Sequence, residues 1–450
     1  MADRIEYPES AQQKPGPGIR MQDSLRTVGL VSFSGAVGTY DFIVFAFLAP
    51  VIGKIFFPSG ISPWLVSVQT FGIFAAGYVF RPFGGIVLAH YSDLFGRKRI
   101  FAFSTLLMSG ATLAIAVLPG YASIGIASPI LLLAFRALQG IAIGSDIPGA
   151  WTLAAEQVPR ERVGLACGAV SAGLIGGMLL AAVIVTALNL IFTVAEMETF
   201  AWRIPFALGA ALAVPAVCLR RRLKETRIYP ALKSNRVLMP SFPLHAVLHD
   251  HRPALAFSIL LTWVISAGMI VILLMTPVIL QTVYGVTTQH ALLAVSITAF
   301  GLTTGAFISG LLFDRLGPAT CMMGGSILCA LTSFSFYSLA GWSLPLLYIL
   351  SASLGFTVGL LGAAPSIMVM SFPPRVRASG VSAAYNITLA VFGGLPPALV
   401  AWLVQFEPMA PAYYILFIAF LTFCLGHYLY RNPYLLEGSA EGFHWGRSRT

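Results

Sequence analysis

Asp93-Leu94-Phe95-Gly96-Arg97-Lys98-Arg99 closes one long apolar segment, and Asp314-Arg315-Leu316-Gly317 closes another about 221 residues later. At that offset Gly84 aligns with Gly305, Asp93 with Asp314, and Gly96 with Gly317. A second echo sets Pro159-Arg160-Glu161-Arg162 against Pro374-Arg375-Val376-Arg377, about 215 residues apart. Two echoes at nearly one period divide this chain of 450 residues into two similar halves.

Composition decides what the halves are made of. Hydrophobic residues make up 57%, charged residues 10%, and the mean hydropathy is +0.84. So little charge cannot clothe a soluble protein of this length. Apolar runs recur at 25–52, 63–91, 99–118, 128–156, 163–192, 203–220, 254–284, 289–313, 318–340, 345–371, 378–405 and 411–430. A run of about 20 residues crosses a bilayer core of about 30 Å. The expectation is an all-α integral membrane protein with twelve transmembrane helices in two pseudo-symmetric six-helix bundles. The bundles span 25–220 and 253–431, with an N-tail at 1–24, a linker at 221–252 and a C-tail at 432–450. A duplicated membrane bundle implies a transporter whose substrate sits between the halves.

Orientation follows from the basic residues. Of the 27 Lys and Arg, all but Lys54, Arg81, Arg136 and Arg203 fall on one side of this map, the side that holds both termini. The positive-inside rule makes that side cytoplasmic. The net charge of +10 is thereby a topology signal and gives no ground for nucleic-acid binding. Basic residues of the linker, Arg220-Arg221-Arg222 among them, suit anionic lipid headgroups. The acidic N-tail (Asp3, Glu6, Glu9) is unlike a signal peptide, and the five cysteines show no metal-like spacing. His245, His249 and His251 in the linker read as headgroup or solvent contacts.

Small residues cluster at Gly168, Ala172, Gly173, Gly176 and Gly177, a face for close helix contact. Pro277, Pro365 and Pro396-Pro397 predict kinks or breaks in their helices.

Ionisable residues inside a bilayer are costly and mark function or pairing. Asp41, Arg81, Arg136, Asp146 and, at a helix end, Glu156 meet that description, all in the first half. At 1.5 Å per residue, Asp41 and Arg136 reach similar depths, so an ion pair between them is geometrically possible and would relieve the cost of burying either charge. A carboxylate that loses such a partner takes up a proton. Arg136, Gln139, Ile143 and Asp146 fall on one helix face, and Asp146 lies deeper toward the cytoplasm as a second proton or substrate site. Arg81 reads as snorkelling or structural. Asp93, Arg97 and Glu156, together with Asp314 and Arg315 of the second copy, form the expected conformational latch.

At these residues the chain resembles the metabolite:proton symporter family of the major facilitator superfamily. The family's loop signature is Gly-x-x-x-Asp-Arg-x-Gly-Arg-Lys. Here Ala89 and Leu94 depart from it while Gly96, Arg97 and Lys98 match, and the second copy keeps Gly310, Asp314, Arg315 and Gly317. Further marks are Tyr40-Asp41-Phe42, Arg136-Ala137-Leu138-Gln139-Gly140, Trp202-Arg203-Ile204-Pro205-Phe206, Arg222-Leu223-Lys224-Glu225-Thr226 and Tyr385-Asn386 with Phe392-Gly393-Gly394. Gly144-Ser145-Asp146 stands where the family usually has Gly-Gly-Glu. Leu118-Pro119-Gly120-Tyr121 with Ile124-Gly125 is similar to the citrate and shikimate branches. The resemblance implies the major facilitator fold and a bacterial inner-membrane symporter.

The leading expectation is proton-coupled uptake of a small organic acid, such as a di- or tricarboxylate, by a monomer with the proton as coupling ion and no other cofactor or metal. Arg136 would meet the carboxylate, with Gln139, Gln281, Tyr385 and Asn386 around the substrate; Asp41 and Asp146 would carry the proton. Alternatives are a symporter of a zwitterionic osmolyte (proline or betaine), a drug exporter and a transporter-like sensor. A membrane enzyme lacks a nucleophile–base or metal cluster in this sequence.

Overall fold

A computed structural model describes residues 21–58, 60–95, 97–222, 243–374, 376–393, 399–400 and 402–436. The N-tail, most of the linker and most of the C-tail lie outside the described residues.

The first half comprises α1 (Met21–Phe47), α2 (Ala49–Phe56), α3 (Pro63–Val79), α4 (Arg81–Phe95), α5 (Arg97–Val117), α6 (Ala127–Glu156), α7 (Val163–Ile191) and α8 (Arg203–Arg222). A short α9 (Pro243–Asp250) precedes the second half. There follow α10 (Arg252–Met269), α11 (Thr276–Thr282), α12 (Thr288–Leu316), α13 (Pro318–Leu339), α14 (Leu344–Gly359), α15 (Pro365–Ser371), α16 (Arg377–Phe392) and α17 (Ala410–Arg431).

Among the described residues nine helical spans are long and apolar enough to cross a bilayer, or ten if the bent pair Val194–Ala201 and Arg203–Cys218 is one span. The shortfall from twelve has local causes. Segment 345–371 is not one rod but α14 and α15, parted at 360–364 just before Pro365. Segment 378–405 holds α16 and then reaches residues 394–398, so Pro396-Pro397 lie outside the described residues. Pro277 follows a π-helical stretch, Ile270–Met275, and opens α11. The helical pattern is interrupted for one residue at Phe80, two before Pro82, which has no N–H for the preceding turn, and α3 and α4 still form one span, Val68–Ser92. Pro148 and Pro215 stay inside α6 and α8.

In lipid, helices gain little from apolar contact alone, so close backbone approach at small residues holds them together. A Cβ on Gly140 would stand 2.2 Å from the Gly77 carbonyl oxygen, and one on Gly144 would stand 2.3 Å from that of Arg81. These contacts press α6 against the α3–α4 break. The small-residue face of α7 meets two partners: Gly173 and Gly177 lie on α1, and Gly168 lies on α12 at Gly310. Two of the quoted motifs also meet, since the Tyr40 hydroxyl donates to the Pro205 carbonyl at 2.8 Å.

Helices of each half pack mainly on one another. The halves meet where α7 crosses α12 and where α4 and α6 touch α16. The end carrying the α4–α5, α6–α7, α12–α13 and α15–α16 junctions is called the base below.

Candidate functional site

Arg136 is fully buried on α6. Its Nη1 donates to Gln139 Oε1 at 2.7 Å and to the Phe42 carbonyl at 3.1 Å. Gln139 Nε2 donates in turn to Thr112 Oγ1 at 2.9 Å. The guanidinium carbon lies 4.4 Å from the ring centroid of Phe42, 4.5 Å from Phe45 and 5.3 Å from Phe74. Such faces attract a cation. Nε and Nη2 of Arg136 have no hydrogen-bond partner.

The Asp41–Arg136 ion pair that equal depth allows is absent from this conformation. Consecutive side chains leave a helix about 100° apart, so equal depth does not make Asp41 and Phe42 face the same neighbour. Phe42 takes the Arg136 side. Asp41 turns to α8, where its Oδ1 lies 1.9 Å from the place a Cβ on Gly209 would occupy. Only glycine admits the carboxylate there. Both carboxylate oxygens are buried with no partner at ordinary hydrogen-bond geometry, and the Thr112 hydroxyl is the polar group beside them. Asp41 and Asp146 line one narrow cavity between α1, α5 and α6, with the hydroxyls of Ser104, Thr105 and Ser109. The two acids expected to carry protons are thus brought together, and Arg136 points elsewhere.

Arg81 does not snorkel. It is only 3% exposed, and its guanidinium carbon lies 5.2 Å from the ring centroids of Phe42 and of Tyr78 and 5.5 Å from that of Tyr385. The tight crossing at Gly144 places residue 81 against α6. Phe42 therefore stands between two guanidiniums. Trp151 closes the nest, edge-on to Tyr385 at 5.1 Å. The Arg81-Pro82-Phe83-Gly84-Gly85 run was the available signal, since Pro82 accompanies the interruption at Phe80 and Gly84 allows the approach.

Asn386 sits apart from this nest and closes the two halves together. Its Nδ2 donates to the Gly144 carbonyl at 2.6 Å, and Ser382 Oγ donates to the Gly85 carbonyl at 2.8 Å. The Gly144 carbonyl is free to accept because its helical donor would be the N–H of residue 148, and residue 148 is proline. A cross-half hydrogen bond is thereby written into α6 itself.

Two further contacts close the base. Glu156 pairs with Arg377 of the second half at 3.1 Å, and both side chains are at least nine-tenths buried. Asp314 accepts from the backbone N–H groups of Gly164 and Leu165, both at 2.8 Å. These are donors that the first turn of α7 cannot satisfy internally, and the helix dipole favours an anion there. Arg315 is exposed. The side chains of Asp93 and Arg97 lie outside the described set. Arg377 was the missed latch residue, although the Pro374-Arg375-Val376-Arg377 echo contained it.

Gln281 lies away from the other candidates. Its Nε2 donates to the Pro277 carbonyl and its Oε1 accepts from Thr288, which ties the end of α11 to the start of α12.

Similarity to known proteins agrees with this geometry. The chain is 29% identical over 419 residues to the proline/betaine transporter of Salmonella typhimurium strain LT2, covering 89% of this chain and 82% of that one. It is 28% identical over 412 residues to a putative proline/betaine transporter of Staphylococcus aureus strain COL, covering 90% and 88%. Among solved structures, a proton:xylose symporter bound to 6-bromo-6-deoxy-D-glucose superposes with a TM-score of 0.76 at 16% identity, over 91% of this chain and 96% of that one. At that identity the likeness is one of fold. Residues 31–397 match the Major Facilitator Superfamily model. The chain belongs to the Major Facilitator Superfamily, and it is a multi-pass membrane transporter and not an enzyme.

Proposed function

We propose that the protein is a proton-coupled symporter of a small zwitterionic osmolyte of the proline or betaine kind, working by alternating access of the 25–220 and 253–431 bundles. The observation that carries this reading is the aromatic nest holding Arg81 and Arg136. A zwitterion offers a carboxylate to the guanidiniums and a cationic nitrogen to the rings, whereas a di- or tricarboxylate has no use for the aromatic faces. The organic-acid expectation gives way to its alternative on that ground, and the names of the similar transporters support the change.

Asp41 is the proposed proton carrier, with Asp146 in the same cavity. A buried carboxylate with no cationic partner is suited to exchange its charge for a proton. The closed base faces the cytoplasm in this reading, together with both termini, so the conformation corresponds to one closed from inside. The protein acts as a monomer in a bacterial inner membrane, in contact with lipid and without nucleic acid.

Uptake into proteoliposomes tests the proposal. Labelled proline or glycine betaine should accumulate when the outside is made acidic, and citrate should not. Citrate accumulation without betaine uptake, or betaine uptake indifferent to the pH gradient, would contradict it.

A further inference from the structure

We propose that Arg81 occupies the substrate's cation site in the unloaded protein, and that the substrate's carboxylate draws it away so that the vacated rings receive the substrate's quaternary nitrogen. This rests on the zwitterion reading above and assigns its specificity to one residue.

Arg81 is buried among Phe42, Tyr78 and Tyr385 at cation–π distance from all three. A trimethylammonium group seeks the same surroundings: several aromatic faces at that distance and little water. The rings come from both halves, Phe42 from α1, Tyr78 from α3 and Tyr385 from α16. Arg81 Nε is buried with no hydrogen-bond partner, so the guanidinium, held by the ring faces and by the Tyr385 hydroxyl, keeps unused donor capacity. Arg136 stands across Phe42, also with unsatisfied donors, at Nε and Nη2. A carboxylate that enters between them gains charge-assisted hydrogen bonds that the rings cannot give. Arg81 then turns to the carboxylate, and the ammonium on the same small molecule takes its place over the rings.

The exchange needs both ends of the ligand. A plain cation such as choline must compete with Arg81 for the rings and brings nothing to displace it. A plain carboxylate moves Arg81 and leaves the rings empty. Selectivity for zwitterions therefore comes from a resident competitor as much as from attraction.

Calorimetric binding to the full-length protein in nanodiscs provides the test, with three ligands of nearly equal shape. These are glycine betaine, choline, and 3,3-dimethylbutanoate, in which carbon replaces the nitrogen. The wild type should bind betaine at least about tenfold tighter than either of the others, a difference of about 1.4 kcal/mol. Arg81→Ala should weaken betaine about tenfold and tighten choline several-fold. Arg81→Lys keeps the charge without the planar stacking and should fall between, which guards against a misfolded alanine variant. Tyr385→Leu should erase the preference for betaine over 3,3-dimethylbutanoate, and Tyr385→Phe should restore it.

A purely structural Arg81 would leave choline binding unimproved, so Arg81→Ala or Arg81→Lys that still binds betaine without any gain for choline overturns the inference. If Arg81→Ala binds betaine as tightly as wild type, the inference also fails. A wild type that binds no betaine but binds citrate overturns the zwitterion reading itself, which is a distinguishable result.

Discussion

The two halves repeat one scaffold and divide its chemistry unequally. Gly84 and Gly305, aligned by the repeat, serve the same purpose in each: a Cβ would lie 1.9 Å from the Ile141 carbonyl oxygen in the first half and 2.3 Å from that of Phe356 in the second. Buried polarity is not repeated. The first half holds Asp41, Arg81, Arg136 and Asp146 in its interior. The buried polar side chains of the second half, among the described residues, are hydroxyls together with Asn386 and Arg377. Many of those hydroxyls donate to their own helix, as Thr298 does to Ala294, Ser351 to Leu347 and Thr422 to Ile418. Such groups are satisfied locally and have little left for a ligand. Duplication thus preserved the packing positions and left the second half to supply one ring face, that of Tyr385, and the closing contacts.

Several substitutions sharpen that contrast, the largest effects first. Arg136→Gln should raise the dissociation constant for betaine about tenfold to a hundredfold, since a charge-assisted hydrogen bond contributes roughly 1.5–3 kcal/mol. Thr298→Val in the second half should change it less than about twofold. Equal losses from the two would erase the distinction between the halves. Gly84→Ala and Gly305→Ala should each lower stability by about 1–3 kcal/mol, because both overpack a helix crossing. Thermal unfolding of the two purified variants checks this; a loss at only one site would show that the scaffold is not shared. A smaller effect than at the glycines is expected at the proline. Pro148→Ala returns an N–H to the Gly144 carbonyl, which then competes with Asn386, a change of about 1 kcal/mol against the closed base. Alkylation of buried Cys167 near that end, followed peptide by peptide in a mass spectrometer, should quicken a few-fold. An unchanged rate would mean that the Asn386 bond does not hold the base shut.

Much of this arrangement was legible in the sequence. The paired loops, the apolar runs and the small-residue face of α7 announced the duplicated bundle. Asp41, Arg136, Gln139 and Asp146 were legible as buried polar groups because charge in an apolar run is rare. What failed was azimuth. Helical rise gives depth, and depth alone set Asp41 beside Arg136, while rotation by one residue sent them to different neighbours. For Arg81 the sequence left snorkelling and structural contact open, and the structure shows buried contacts with Phe42, Tyr78 and Tyr385. The crossing at Gly144 that accompanies this burial is not visible in the hydropathy of its own segment. Gln281 and Asn386 stand out as polar residues where such residues are scarce; in this conformation one ties off a helix end and the other meets a carbonyl freed four residues before a proline. That last signal was readable, since Pro148 names Gly144 as the unsatisfied acceptor.

The central claim is that coupling belongs to the first half, at Asp41. Proton movement measured with a pH-sensitive dye inside proteoliposomes tests it most directly. Addition of glycine betaine outside should acidify the lumen with wild-type protein. With Asp41→Asn, betaine should still exchange across the membrane but move no protons. Undiminished acidification by Asp41→Asn would contradict the account.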